Sequence, residues 1–126
     1  MKIDAQLKYS KSHEWVRLEG DTATIGLTDF AQNSLGDLVF VNLPDIGTEV
    51  TEKEPFTDIE SVKAVSDVYA PVNGTVCAVN DALLDAPETI NSDPYGAWLI
   101  KVEGVSGGED LMDAAAYEAF CESEAE

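Results

Sequence analysis

The side chain with the clearest capacity for chemistry is Lys63, the only basic residue between positions 54 and 100. Segments rich in β-branched and aromatic residues flank it at 56–62 and 65–70, and such segments favour strands. We therefore predict that Lys63 lies in the connection between two antiparallel strands, with its amine in water. Such an amine is either an ordinary solvated charge, which is the commoner case, or a group that a modifying enzyme must reach.

The residues after Lys63 strengthen the second interpretation. Pro71 and the pair Asn73-Gly74 precede another alternating run at 75–79. Asn-Gly is a strong signal for a two-residue hairpin turn, because both positions tolerate positive φ. The sequence thus predicts a second tight connection, and with it a compact meander that would present Lys63 on a stiff support.

Several short motifs surround Lys63 and follow one another along the chain. The segment 60–67 reads Glu-Ser-Val-Lys-Ala-Val-Ser-Asp, and the segment 69–74 reads Tyr-Ala-Pro-Val-Asn-Gly. Further motifs stand at 7–10, 12–16, 25–32, 35–44, 79–80, 90–91, 94–96 and 98–101. In sequence and order these motifs resemble those of the glycine cleavage system H-protein family, and the resemblance covers nearly the whole chain.

The resemblance implies a carrier that has no catalytic groups of its own. It implies a lipoyl/biotinyl-type barrel-sandwich hybrid with lipoate joined as an amide to Lys63, attached by a lipoate ligase or an octanoyltransferase. In the family, glycine decarboxylase (P-protein) loads an aminomethyl group onto a lipoyl sulfur. The aminomethyltransferase (T-protein) passes the one-carbon unit to tetrahydrofolate, and dihydrolipoyl dehydrogenase (L-protein) reoxidises the dithiol.

Five further residues match family positions with a role. Glu60 and Gly47 look like the glutamate and glycine on which the lipoate-attaching enzymes depend. Ser12, Glu14 and Asp67 look like the residues of a cleft that shelters the loaded arm from water. Each also has an ordinary interpretation: Glu60 as a solvated strand carboxylate, Gly47 as a turn glycine and Glu14 as a surface residue beside Trp15.

Other functions remain open at this point. Biotin carriers and the lipoyl domains of 2-oxoacid dehydrogenases also place a lysine at a hairpin tip, but Val62 and Ala64 do not fit the residues that usually flank it there. A relay that donates lipoyl groups to other proteins would carry the same attachment motif. An acidic binding protein without a prosthetic group is the third alternative.

Length, composition and net charge limit the number of domains and the kinds of partner that we expect. A chain of 126 residues, 44% of them hydrophobic, fits a single domain over 1–126. Its formal net charge of -18 disfavours nucleic acid and anionic membranes as partners and favours proteins with basic patches. The N-terminal residues lack the character of a signal or transit peptide, so we expect a cytoplasmic location, with a mature organellar chain as the alternative. We also expect a monomer.

Local patterns predict mainly β structure. A hairpin is expected from 15–18 and 22–25, and many short strands with Gly, Pro and Asn between them indicate a sandwich or flattened barrel. Two helices are expected: one at 29–35, capped by Thr28 and ended by Gly36, and an amphipathic one at 109–122. The acidic tail 122–126 should fray, and 81–93 should be a loop with at most one helical turn.

The remaining reactive side chains give weak signals. Cys77 and Cys121 have no metal-ligand or redox spacing, so we expect Cys77 to be a buried apolar residue, Cys121 a thiol near the surface, and no disulfide between them. His13 is the only histidine, and no supporting motif indicates a catalytic pair.

Overall fold

The computed structural model describes residues 2–125 and places strands and helices along the whole of that range. The nine strands of the described residues are β1 (Lys8–Tyr9), β2 (Glu14–Glu19), β3 (Thr22–Leu27), β4 (Leu38–Val41), β5 (Glu49–Val50), β6 (Pro55–Ser61), β7 (Val65–Tyr69), β8 (Asn73–Val79) and β9 (Ile100–Ser106). The four helices within 2–125 are α1 (Asp29–Leu35), α2 (Ala82–Asp85), α3 (Thr89–Ser92) and α4 (Ala114–Ala125). The predicted mainly β fold is confirmed.

The strands form two antiparallel sheets. The larger sheet has six strands in the order β1-β2-β3-β9-β8-β5, and the smaller has three in the order β4-β6-β7. One large apolar cluster draws buried side chains from both sheets, among them Ile25 of β3, Ile59 of β6 and Val76 of β8. The chain therefore has one main core, and the two sheets cannot be separated without exposing it.

The predicted first helix is confirmed at its exact bounds. Thr28 caps α1 by accepting a hydrogen bond from the Ala31 N–H at 3.2 Å, which satisfies one of the free donors of the first turn. Gly36 ends the helix with a φ of 83° and donates to the Gln32 carbonyl. Only glycine adopts that backbone conformation without strain.

The prediction of a second tight hairpin at Asn73-Gly74 is wrong. Both residues lie inside β8, which pairs with β5 and β9 and belongs to the other sheet from β7. A Cβ at Gly74 would stand 2.9 Å from the Glu103 carbonyl oxygen. Gly74 therefore serves close strand packing here, and Asn73 accepts a hydrogen bond from the Glu52 N–H.

The C-terminal helix is confirmed, but its bounds shift to Ala114–Ala125. Asp113 accepts a hydrogen bond from the Ala116 N–H, so the helix begins after this aspartate and not at position 109. Residues 122–125 continue the helix where fraying was expected, and Glu124 in this segment bonds to His13. Position 126 lies outside the described residues.

Two further expectations need correction. The segment 81–93 contains two helical turns, α2 and α3, whose apolar residues Leu83 and Ile90 are buried. The two cysteines exchange the expected environments: Cys121, a residue of α4, is buried, and Cys77 is partly exposed. Both cysteines are free thiols. Among residues 2–125, no helix has the length and apolar character that a membrane span requires.

Candidate functional site

Lys63 lies in a tight turn between β6 and β7, as the sequence predicts. The Ser61 hydroxyl accepts hydrogen bonds from the N–H groups of Lys63 and Ala64, each at 3.1 Å. The Ser61 N–H donates to the Ala64 carbonyl at 2.8 Å, and the Val62 N–H donates to Asp37 at 3.0 Å. The turn is thus tied both to itself and to the residue that precedes β4, so it holds the exposed lysine on a firm base.

The amine of Lys63 reaches the C-terminal end of α1. Its Nζ donates to the Ser34 carbonyl at 3.2 Å, one of the last carbonyls of the helix, which have no partner within a helix. The negative end of the helix dipole also favours a cation there. A Cβ at Gly36 would stand 3.0 Å from the Lys63 Cε, so the absence of a side chain leaves room for the lysine stem.

A cavity of about 170 Å³ begins beside this carbonyl. Ser34 lines the cavity together with apolar side chains from β3, α1 and β6 and polar residues from the start of β2 and from β7. The lining residues are Ser12, His13, Glu14, Leu27, Phe30, Ala31, Ser34, Leu35, Ile59, Ser66 and Asp67. The cavity therefore joins the surroundings of the lysine amine to a polar group around Glu14.

Glu14 is the most unusual side chain of this cavity, because it is a carboxyl group only 1% exposed. Its Oε1 accepts hydrogen bonds from the hydroxyls of Ser10 and Ser12, and its Oε2 accepts one from the Tyr69 N–H at 3.3 Å. Burial raises the pKa of Glu14 to about 7, although these hydrogen bonds oppose the rise. Near neutral pH the group therefore exchanges readily between its acid and carboxylate forms.

All three residues of the predicted cleft line this cavity, but only two of them are in direct contact with each other. Ser12 and Glu14 are in direct hydrogen-bond contact. Asp67 lines the same cavity, but among the described residues no hydrogen bond joins its carboxylate to either of them. Its strand partner is Asp58 of β6, so two carboxylates stand opposite each other on neighbouring strands.

Glu60 and Gly47 lie apart from each other. Glu60 is exposed on β6, three residues before Lys63, and pairs with Phe40 on one side and Val65 on the other. Gly47 lies in the turn before β5, where its N–H donates to the Val76 carbonyl of the larger sheet at 2.8 Å. Its φ of 95° strains any other residue, although a Cβ there would meet open space.

Sequence reasoning missed several residues of this site. Ser10 and the Tyr69 N–H hold Glu14, and Ser34 receives the lysine amine. His13, weighed only as a catalytic partner, stacks on Phe30 with ring centroids 4.4 Å apart, and both residues line the cavity. The positive φ of His13, 72°, arises only in the folded turn, so no sequence pattern announced it.

A larger cavity of about 430 Å³ lies on the other side of Ser12. Tyr69, Pro71 and Leu111 contribute apolar surface to it, and the ion pair between Lys53 and Asp110 lies at its edge. Neither Lys63 nor Glu14 lines this cavity. Its size alone therefore gives no link to the lysine amine, and the smaller cavity is the better candidate site.

Comparisons with known proteins agree on one family. The family described as Glycine cleavage H-protein matches residues 7–124. A probable glycine cleavage system H protein of Haloarcula marismortui is 59% identical over 118 residues, which are 91% of this chain and 93% of that protein. The glycine cleavage system H protein of Acidobacterium capsulatum is 51% identical over 126 residues, 98% of each chain.

A solved structure extends the agreement to the fold. The crystal structure of a glycine cleavage system H protein from Mycobacterium marinum superposes with a TM-score of 0.85 at 39% identity, covering 93% of this chain and 97% of that one. With the family match and the relatives, this shows that the chain belongs to the glycine cleavage H-protein family, a family of lipoyl carriers.

Proposed function

We propose that this protein is the lipoyl carrier of a glycine cleavage system and that lipoate is attached to Lys63 as an amide. The observation that carries the proposal is the position of the Lys63 Nζ, 3.2 Å from the carbonyl of Ser34, a residue that lines the cavity containing Glu14. An acyl group on this nitrogen would start at the edge of that cavity.

The residues around Lys63 fit such a group. Leu27, Ala31 and Leu35 offer apolar surface to a hydrocarbon arm, while Ser12 and Glu14 supply polar groups. Acylation removes the charge of the lysine, and the amide N–H that remains could still donate a hydrogen bond to the Ser34 carbonyl. The site thus suits the nitrogen both before and after modification.

The chemistry of the cycle belongs to the cofactor and to other enzymes. A lipoyl group on Lys63 would supply a dithiolane able to receive an aminomethyl group from glycine decarboxylase, yield it to the aminomethyltransferase and be reoxidised by dihydrolipoyl dehydrogenase. The protein contributes position and shelter and has no catalytic role of its own. We infer that Glu14 and Ser12 hold the amine of the cargo and that Asp67 adds a second negative charge at the cavity.

Glu14 is suited to bind an amine because a positive charge close to its carboxyl group would shift that group toward the carboxylate form. Burial alone raises the pKa of this carboxyl group to about 7. A nearby ammonium favours the carboxylate form and would lower that pKa, so the amine would create the anion that binds it. The Ser12 hydroxyl can donate to the carboxylate or accept from the acid, and it serves both forms.

Intact-mass measurement tests the proposal. Wild-type protein incubated with a lipoate ligase, ATP and lipoate should gain one lipoyl group, and Lys63→Arg should gain none. Lys53→Arg is the matched control, because Lys53 is another exposed lysine in a turn, where it forms an ion pair with Asp110. The Lys53→Arg variant should be modified to the same extent as wild type. An unmodified wild-type protein, or a modified Lys63→Arg variant, would contradict the proposal.

Gly47 and Glu60 enter the proposal as residues needed for attachment, through different physical causes. Glu60 is exposed beside the turn and is available to touch the attaching enzyme. Gly47 acts through its left-handed backbone, which sets the path of the chain between β4 and β5. We therefore infer that Glu60 is a contact residue and Gly47 a positioning residue.

A further inference from the structure

Exposed apolar side chains are concentrated around Lys63. Eight large hydrophobic residues are exposed within 2–125, and four of them are Val39, Phe40, Val62 and Val65. These four lie on the three-stranded sheet or in its lysine turn. A cluster of exposed apolar residues marks an interaction surface more often than scattered ones do.

The strand register places two of these side chains in line with a carboxylate. Phe40 pairs with Glu60, and Glu60 pairs with Val65, so the three form a row across β4, β6 and β7, here called the outer row. Directly paired residues have Cβ atoms about 5 Å apart. The Glu60 carboxylate is therefore flanked by an apolar side chain on each neighbouring strand.

A β-bulge creates the exposure at one end of the outer row. The register shifts between Leu38 and Phe40, which leaves Val39 as an additional residue on β4. As a result Val39 and Phe40 are both exposed, whereas alternation would turn one of them inward. Bulges commonly re-aim side chains in this way at functional surfaces.

No ion pair within 2–125 neutralises the carboxylates beside the outer row, although the Asn42 side-chain amide donates a hydrogen bond to Asp58. Two residues along from the outer row, on the same face of the sheet, Asp58 pairs with Asp67, and like charges in direct register are destabilising. The ion pairs found within 2–125 lie elsewhere, at Lys53–Asp110 and His13–Glu124. A partner that brings basic side chains would relieve this repulsion and gain affinity from complementarity.

We propose that the outer row is the docking surface of the enzyme that acylates Lys63, and that this enzyme presents an apolar recess with a basic side chain facing Glu60. The inference rests on the proposed function and deepens it. It makes Phe40 and Val65 specificity-determining residues for the modification, each acting by contact with the partner.

Geometry selects the acylating enzyme over the other partners. The new bond forms at the Lys63 Nζ itself: the deprotonated nitrogen attacks the carbonyl carbon of lipoyl-adenylate, an amide forms, AMP leaves, and the proton passes to solvent. The enzyme must therefore enclose the lysine turn and draw Nζ from the Ser34 carbonyl. Partners that act on the far end of a long arm have no such need to touch the outer row.

The experiment measures the initial rate of modification by a lipoate ligase with ATP and lipoate against the concentration of unmodified protein. Phe40→Ser and Val65→Ser should each raise KM by about tenfold, as truncation of an interface anchor does, with kcat and Tm near wild type. The matched control is Leu18→Ser, because Leu18 is 50% exposed and Phe40 48%, but Leu18 lies on β2 of the other sheet. Its KM should stay within about twofold of wild type.

A binding assay separates docking from chemistry. Lys63→Arg protein, which cannot be acylated at that position, should bind the ligase, and adding Phe40→Ser should weaken binding by the same factor as the KM change. If Phe40→Ser and Val65→Ser leave KM and binding within twofold, or if Leu18→Ser has an equal effect, the inference is overturned. A variant that is acylated normally but whose dithiol is reoxidised poorly by dihydrolipoyl dehydrogenase would likewise overturn the choice of partner.

Failure of the proposed function gives a different result. In that case the wild-type protein itself gains no lipoyl group and the ligase fails to bind it. If the wild-type protein gains a lipoyl group but the outer-row variants are modified as fast as wild type, only the proposal of a docking surface is overturned.

Discussion

Strands β3 and β6 run through the two sheets of the same molecule, yet they bury very different shares of their side chains. β3 is buried continuously from Ala23 to Leu27, because β2 and β9 pair with it on both sides and the core covers it. β6 is also a central strand, but Ile59 is its only buried residue. Stability is thus concentrated in the larger sheet, which leaves the smaller sheet free to expose residues that suit a partner.

The largest expected effect tests the stability side of this comparison. Ile25→Ala removes a fully buried side chain of β3 and should lower the free energy of unfolding by about 2–5 kcal/mol, through lost burial and the cavity left behind. Urea denaturation followed by circular dichroism measures the change. The matched variant is Val65→Ala on β7, which is 64% exposed and should stay within about 0.5 kcal/mol of wild type. Similar losses for both variants would contradict the comparison.

A pH dependence tests the contact between the sheets at Glu14. This carboxyl group lies at the start of β2 and accepts a hydrogen bond from β7. Because its pKa rises from 4.5 to about 7 on folding, the folded state holds the proton more tightly. The contribution of Glu14 to stability is fully present below pH 4.5 and is lost as the pH rises to about 7. The free energy of unfolding should fall by up to about 3 kcal/mol over this range.

The measurement compares urea midpoints of wild type and Glu14→Gln between pH 4.5 and 8. The stability of wild type should decline relative to the variant across that window. Glu60→Gln removes the same charge from an exposed position, so it controls for the general repulsion of an acidic chain. Parallel profiles for wild type and Glu14→Gln would show that Glu14 ionises as freely in the fold as outside it.

The smallest expected effect on stability concerns a third region, the aromatic cluster that includes Tyr117 of α4. The Tyr117 hydroxyl bonds to Thr28 Oγ1 and His13 Nδ1, each at 2.7 Å. Tyr117→Phe keeps the ring stacked on Tyr9 and loses both bonds, so the free energy of unfolding should fall by about 1–2 kcal/mol. Tyr69→Phe is the control, because its hydroxyl makes no hydrogen bond within 2–125. Equal Tm values for the two variants would contradict this role for Tyr117.

Local signals predicted much of the fold. Thr28, Gly36 and the residues between them fixed α1, because a cap and a left-handed terminus act over only a few residues. The lysine turn was also predictable, since both flanking strands have strong β propensity. The signal at Asn73-Gly74 misled, because close packing against Glu103 uses the same residue type that a hairpin turn needs.

The candidate site was predictable only through resemblance. Nothing in the order Ser10, Ser12, Glu14 indicates that the carboxyl group is buried, because its burial depends on β7, more than fifty residues away. The contact between Lys63 and Ser34 likewise joins elements that are distant in sequence. Cys121 looked exposed in an acidic tail, and only the packing of α4 on Tyr9 and Trp15 buries it.

The aromatic cluster has a consequence for synthesis of the chain. It unites Leu7, Tyr9 and Trp15 with Tyr117 and Cys121, and β1 forms a bridge to Met112. The first strand therefore gains its covering only after the ribosome has made nearly all of the described sequence. We expect Trp15 to report this late closure by its fluorescence, with nascent chains that stop before position 117 leaving the indole in contact with water.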